Sequence, residues 1–281
     1  MLPVIHLSTL AVSSFSATVF VAFVVSGWLC ARQARFVGVN TTIAWQLMPW
    51  AAAAGVLGSK LFPLIADLPK VLSGQIAVSG VGQVWYGGAI MGFAVVAWRF
   101  KKFGLPLHLM FDYGAAPVAI GHAIGRIGCF LVGDDYGMPT NSVFGMRFPQ
   151  TLPLASAGNL RALGAHVPLD VSNSTVMAVL PTQLYEAIVL ALIAGWLWKI
   201  SRRPHKPWSV FAQYAVLYGT WRFLVEFVRV KDDHILGIIT VAQLLSVLLI
   251  AWGVWRLQLR APVEASPPPL PDVPIVMRSY R

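Results

Sequence analysis

Apolar runs of similar length recur along the chain, separated by short basic or polar clusters. They cover residues 9–30, 42–59, 85–98, 107–126, 182–198, 210–228 and 236–255. Each approaches the ~20 residues that cross ~30 Å of hydrocarbon, although the third must begin nearer Val81 to do so. The pattern predicts seven membrane helices. Trp28, Trp50, Trp85, Trp98, Trp196, Trp198, Trp208, Trp252 and Trp255 stand at run ends, where an interfacial belt places them. No Lys or Arg precedes the first run, so the charged start of a signal peptide is missing. Cys30 follows Leu29 rather than a small residue, unlike a lipoprotein cleavage box, and the run reads as a retained first helix.

Composition strengthens this reading. The 281 residues are 57% hydrophobic and 11% charged, whereas soluble domains carry about a quarter charged residues. A net charge of +10 would suit nucleic acid, but the basic residues fall in clusters between apolar runs. Such clustering marks topology, and no nucleic-acid partner is expected. Arg32 and Arg35, then Arg99, Lys101 and Lys102, then Lys199, Arg202, Arg203 and Lys206, then Arg256 and Arg260 follow alternate runs. The longest segment on the opposite side, 133–180, holds only Arg147 and Arg161. The predicted fold is therefore an all-α polytopic membrane protein of seven transmembrane helices, N-terminus outside and C-terminus cytoplasmic. Residues 1–260 form the membrane domain, with 133–180 as a small extracytoplasmic cap. Within the cap, stretches 143–148 and 176–180 alternate as short strands do. Residues 261–281 form a proline-rich, unstructured cytoplasmic tail. Two cysteines make neither a zinc pattern nor a disulfide framework, and the His and acidic residues lack metal-ligand spacing. No metal or cofactor is expected.

Four constellations could carry chemistry. The first is Arg126 among Gly121, Gly125, Gly128, Gly133 and Gly137. Such glycines permit close helix packing, and the arginine either snorkels to the headgroups or grips a lipid phosphate with its planar fork. The second is Tyr218, Arg222, Glu226 and Arg229, spaced four, four and three along one helical face. An internal ion-pair ladder is one reading. Two arginines against one glutamate leave positive charge for an anionic ligand, which is the other. The third is Pro181-Thr182-Gln183-Leu184-Tyr185-Glu186, a helix start that places Glu186 about one turn inside the membrane, where it needs Arg126 or Arg222. The fourth is Trp85-Tyr86-Gly87-Gly88, an aromatic anchor followed by packing glycines. His122 and His108 read as packing or interfacial histidines, and Asp134 and Asp135 as solvated turn residues close to Arg126.

These residues carry a family resemblance. Gly125-Arg126-Ile127-Gly128, followed by Phe130, Gly133, Asp134 and Gly137, is similar to the signature of the prolipoprotein diacylglyceryl transferase family. Pro181-x-Gln183-Leu184-Tyr185-Glu186 resembles a second family block. Tyr218-x-x-x-Arg222-Phe223-x-x-Glu226-Phe227-x-Arg229 resembles a third. The blocks occur in family order over about residues 9–255. The resemblance implies a multi-pass enzyme of the bacterial inner membrane. It would move a diacylglyceryl group from phosphatidylglycerol to the thiol of a lipobox-containing precursor protein, releasing glycerol phosphate. It also implies that Arg126 and Arg222 are essential, with Glu186, Gln183, Tyr218, Glu226 and Arg229 as supporting polar residues.

The chain departs from that pattern at several positions. Tyr86 stands where the family has the histidine of His-Gly-Gly, and Cys129 where it has asparagine. Val132 and Asp134 replace an asparagine and a glutamate. The changes fall on the acceptor side more than the lipid side. Tyr86 is kept as a catalytic candidate, and His122, Asp134 or Asp135 could replace the missing base; Cys129 could hold an intermediate. Two other readings stay open. One is a catalytically altered lipid-binding membrane protein using the same arginines. The other is a transporter, against which stand the clustering of charge toward the outer face and the lack of an internal repeat.

Overall fold

The computed structural model describes residues 3–7, 10–77, 84–149, 154–230, 234–235 and 239–259. The polypeptide is mostly helical. A hairpin of β1 (Val4–Leu7) and β2 (Leu10–Ser13) precedes α1 (Ser14–Phe36). The helix therefore begins later than residue 9, because 10–13 pairs as strand; a short apolar run does not distinguish the two states by periodicity. It also runs past Cys30, ending with Arg35 in its last turn, where a cation suits the helix dipole. Next come α2 (Thr41–Ala66), whose N-cap Asn40 side chain accepts from Thr42 N, the short α3 (Leu68–Leu72) and α4 (Trp85–Lys102). Val81 lies outside the described residues. α5 (Leu107–Val132) carries 26 residues, so the stretch after Arg126 is helical up to Gly133.

The cap contains β3 (Met146–Arg147), α6 (Ala157–Ala162) and β4 (Ala178–Val179), with β3 and β4 antiparallel where alternation predicted strands. Its core gathers Tyr136, Phe148, Ala155, Leu160 and Val179 together with Val230, which lies far along the chain from the rest of the cap. α7 (Thr182–Ile200) and α8 (Ser209–Val225) follow. The chain then tightens into a 3₁₀ turn at Glu226–Val228, and Arg229 is extended. The expected helix over 210–228 thus stops short of Arg229, which instead bridges to Gly137. A second small pair, β5 (His234–Ile235) with β6 (Ile239–Thr240), precedes α9 (Val241–Gln258), which opens on a Thr240/Gln243 capping box. The predicted helix start at 236 and the tail 261–281 fall outside the described residues.

Five of these helices, α1, α2, α5, α7 and α9, are long and apolar enough to cross a membrane. α4 ends on Arg99, Lys101 and Lys102, and α8 has 17 residues before its 3₁₀ extension. Large apolar side chains such as Phe20, Leu57 and Leu192 lie exposed on the bundle's outside, as lipid contact requires.

Small residues set the packing. α2 and α4 approach so closely at Gly55/Gly88 that a Cβ on Gly88 would lie 2.8 Å from Gly55 O. α4 meets α5 through Phe93 and Phe111, and through a cluster of Phe100, Leu105, Leu109 and Tyr113. Both contacts lie at the end of the bundle that carries the basic clusters. At that same end the buried Asp112 carboxylate of α5 accepts from Trp208 N at 2.5 Å and Phe211 N at 2.8 Å, fixing the start of α8. At the opposite end, the exits of α5 and α8 and the entry of α7 converge beneath the cap.

Candidate active site

His122, Arg126 and Cys129 are spaced four and three along α5, so they share one face of that helix. The helix ends on Gly133 at φ 72°, a left-handed cap that glycine adopts without a Cβ clash. Asp134 N then returns to Cys129 O at 2.9 Å, and Asp134 Oδ1 accepts from Asp135 N at 2.8 Å. Asp135 is itself left-handed at φ 62°, uncommon outside glycine though tolerated by aspartate. The double reversal folds the loop back under the helix, and Asp135 Oδ2 comes to 2.7 Å from Arg126 Nη1. The other oxygen of the same carboxylate pairs with Arg229.

The loop is held from α7 and from the exit of α8. Thr182 Oγ1 donates to Asp135 O at 2.8 Å, and Gln183 Nε2 to Asp134 O at 2.5 Å. Gly137 N donates to Leu180 O, and Met138 N to Val228 O, each at 2.8 Å. A Cβ at Gly137 would meet Val228 O at 2.6 Å, so only glycine fits the crossing. Burial and the neighbouring Asp134 carboxylate push the Tyr136 phenol above its ordinary range.

Glu186 sits one turn inside α7 and is almost wholly buried, at 1% exposure. Its Oε2 lies 3.0 Å from Arg126 Nε and 3.9 Å from Arg229 Nη1. The first contact is off the N–H axis, so it is an ion pair rather than a hydrogen bond. Its Oε1 faces His122 Nε2 at 3.7 Å and accepts no hydrogen bond among the described residues. From α8, Tyr218 stacks on Tyr214 at 5.4 Å and meets His122 edge-on at 5.4 Å. Arg222 pairs with Glu226 four residues on. Tyr86, half-buried in the first turn of α4, is within electrostatic reach of Tyr218.

Three helices and two loops therefore bring Arg126, Glu186, Gln183, Tyr218, Arg229, Cys129, Asp134 and Gly137 to one place. Arg126 Nη1 is 3.9 Å from Cys129 Sγ. Arg222 and Glu226 form an adjoining pair, and Arg222 is within electrostatic reach of Glu186 and His122. The glycines divide: Gly128 packs against Thr18 and Phe15 of α1, whereas a Cβ at Gly125 would meet no atom within 4 Å.

Two residues stand out more than their sequence context suggested. Asp135 is a bridging anion rather than a solvated turn residue, and it removes the local excess of positive charge inferred from α8 alone. Arg126, Arg222 and Arg229 are matched by Glu186, Glu226 and Asp135. Burying charge is tolerable only when it is paired in this way. His122 lies beside the cluster, with Nε2 3.7 Å from Glu186 Oε1. The Asp-Asp pair after Gly133 and the four-residue spacing from His122 to Arg126 were the available signals. Among the described residues no three His, Cys, Asp or Glu groups are placed to hold a metal ion.

Comparison with known proteins gives this cluster its context. The family model for prolipoprotein diacylglyceryl transferase matches residues 3–259. The phosphatidylglycerol–prolipoprotein diacylglyceryl transferase of Xylella fastidiosa strain 9a5c is 32% identical over 270 residues, covering 88% of this chain and 89% of the relative. That of Clostridium tetani is 28% identical over 248 residues, covering 88% and 92%. That of Stenotrophomonas maltophilia is 31% identical over 252 residues, covering 85% of each. With the match running through the hairpin, the cap and every long helix, the chain belongs to the prolipoprotein diacylglyceryl transferase family.

Proposed function

We propose that the chain transfers the diacylglyceryl group of phosphatidylglycerol to a cysteine thiol of a prolipoprotein, at the cap end of a seven-span bundle in the bacterial inner membrane. The observation that carries this reading is the convergence of Arg126 and Arg229, from separate segments, on the two oxygens of one carboxylate. Two guanidinium forks aimed at one small anion make a site for a phosphodiester of equal charge. Each fork has five donors, so oxygens beyond those of Asp135 can be bound. Arg222, one helix turn before Glu226, extends the positive field along α8.

The reaction follows from these charges. The thiolate sulfur attacks the diacylglyceryl carbon bonded to the phosphate ester oxygen. A C–S bond forms, the C–O bond breaks, and the electron pair leaves on glycerol phosphate. The phosphate passes from monoanion to dianion, and the proton count closes with the proton lost from the thiol. Arginines already in place stabilise the charge that develops, without reorganisation at the moment of reaction. Glu186 holds the Arg126 fork from the interior side, while Gln183 and Thr182 hold the 134–135 loop. The basic clusters at the far ends of α1, α4, α7 and α9 support the orientation with the cap outside.

Purified protein incubated with phosphatidylglycerol and a lipobox peptide should release glycerol phosphate and add one diacylglyceryl mass to the peptide. Lipid binding with no release would overturn the enzyme reading in favour of a lipid-binding protein. That second reading draws support from Tyr86, which places a weak proton acceptor where the family resemblance implies an imidazole.

A further inference from the structure

We propose that the basic end of the molecule holds a second lipid site, a cavity between the start of α8 and the end of α9 that takes the phosphate headgroup of an anionic phospholipid. The inference goes beyond the transfer reaction and does not rest on it. The cavity has a volume of about 260 Å³. A water's share of liquid volume is about 30 Å³, so the space suits a headgroup rather than one or two solvent molecules. Its Ser209 wall stands roughly 20 Å along α8 from Arg222, at about 1.5 Å per residue, which separates it from the arginine cluster.

Charge selects the ligand. Lys206 from the α7–α8 loop and Arg256 from the last turn of α9 both line the space, with His205 and Ser209 beside them. Among the described residues no Asp or Glu lines it. Beneath the cap, by contrast, Arg126, Arg222 and Arg229 each have a carboxylate partner. Two fixed cations with no lining carboxylate are complementary to a phosphodiester anion. Arg256 Nη2 donates to Pro207 O at 2.9 Å, which holds the guanidinium against the loop and leaves it further donors for a ligand oxygen. His205 Nδ1 donates to Arg203 O at 2.7 Å, so its ring is a fixed wall. The backbone at the start of α8 contributes little, because Trp208 N and Phe211 N already donate to Asp112.

The apolar part of the wall decides the source of the phosphate. Leu257 and Leu259 complete the cavity, and both are exposed. Val254, three residues before Leu257, shares its helix face and is also exposed, so an apolar track leads from the cavity along α9 toward the middle of the helix. Trp208 and Trp252, edge-on at 6.5 Å, and the exposed Trp255 stand at this end, as side chains of the headgroup region do. A free phosphate would engage the cations and leave the leucines bare. A phospholipid covers both.

The test places a bimane fluorophore on Gln258→Cys, an exposed position next to the cavity wall, in the full-length protein in zwitterionic micelles. Labelling of the unsubstituted chain through Cys30 and Cys129 is subtracted as background. Brominated phosphatidylglycerol and brominated phosphatidylcholine are titrated in turn, because bromine quenches at contact range and so reads this end of the molecule. Phosphatidylglycerol should quench at a mole fraction about 25-fold below phosphatidylcholine, or about fivefold for each basic residue at a membrane surface. Lys206→Gln should cut that preference to about fivefold, and Lys206→Gln with Arg256→Gln should abolish it. Lys206→Arg, which keeps the charge, should retain it, and excess inorganic phosphate should leave the quenching in place. Equal quenching by the two lipids in the labelled parent would overturn the site. So would a preference unchanged in the double variant or, if that variant does not fold, one equal in Lys206→Gln and Lys206→Arg. Displacement of the lipid by inorganic phosphate would overturn the phospholipid as the occupant.

Discussion

Arg126 performs two tasks that a lysine could not combine. Its Nη1 holds Asp135 at 2.7 Å while its Nε faces Glu186 at 3.0 Å, so one planar group spans a loop and a neighbouring helix. An ammonium is a point donor on a flexible stem and would satisfy one of the two. Arg126→Lys should therefore lower glycerol phosphate release by about 10²-fold, the cost of losing one preorganised donor to a developing charge. Retained expression with near wild-type release would contradict this. Asp135 leads to the opposite sign. Its carboxylate occupies the space between Arg126 and Arg229 that a phosphate would enter, and it is partly exposed, at 27%. Removing its charge in Asp135→Asn should tighten phosphatidylglycerol binding by about two- to fivefold, equivalent to the ~0.5–1 kcal/mol of a partly screened pair. Weaker binding would show instead that the carboxylate serves to hold the arginines in place. At this scale the sequence was partly legible. Arg126, Glu186 and the α8 pair could be read from spacing and local motif. Asp135 could not, because its role depends on two left-handed residues, Gly133 and Asp135 itself, that turn it back beneath its own helix.

Among the elements, α2 and α4 are held together by glycine contacts rather than by large side chains. The backbone approach at Gly55/Gly88 leaves no room for a methyl group, which would sit 2.8 Å from a carbonyl oxygen. A rigid helix backbone cannot move aside as a flexible side chain does. Gly88→Val should cost about 1–3 kcal/mol, seen as a lowered melting temperature in detergent. A variant melting with the wild type would mean that the two helices separate without penalty. The same pair places Tyr86, because Gly87 and Gly88 set the depth at which the α4 N-terminus enters. Helix existence was readable from hydropathy, and helix ends much less so. Residues 10–13 are as apolar as the helix they precede but pair as strand, and the α5 helix outlasts Arg126 by six residues because its glycines are tolerated by close neighbours. The position of Arg229 is hard to read from sequence for a related reason. Glu226 to Arg229 fits a helical face by spacing, but the backbone bridge to Gly137 draws Arg229 out of the helix and toward Asp135.

For the whole molecule, function depends on which end faces the acceptor. A prolipoprotein cysteine that has crossed the membrane is reachable only from the outer side, so the proposed reaction requires the cap and the arginine cluster to lie there. Their connection is structural. The cap core includes Val230, and Gly137 and Met138 donate to Leu180 O at the entry of α7 and Val228 O at the exit of α8, so backbone hydrogen bonds tie the cap to the segments that carry the arginines. The opposite ends of the helices carry Arg35, Arg99, Lys101, Lys102, Lys199 and Arg256 in their last turns. Rings stack beneath these cations, with Arg99 4.8 Å from the Trp50 ring centre and Lys102 4.0 Å from that of Trp98. Basic side chains over tryptophans at one level mark a membrane interface, and an excess of them marks the cytoplasmic one. A cysteine at the cap tip, Val143→Cys, replaces a side chain that is 93% exposed and should leave the site unchanged. In intact spheroplasts it should react with a membrane-impermeant maleimide, whereas Lys199→Cys at the basic end should react only after lysis. The native thiols interfere little, because Cys129 is buried and Cys30 is half-buried within α1. Labelling of Lys199→Cys in intact cells with protection of Val143→Cys would reverse the topology. It would also place the arginine cluster on the side where no translocated acceptor arrives, and the transfer reaction would then have to be abandoned together with the orientation.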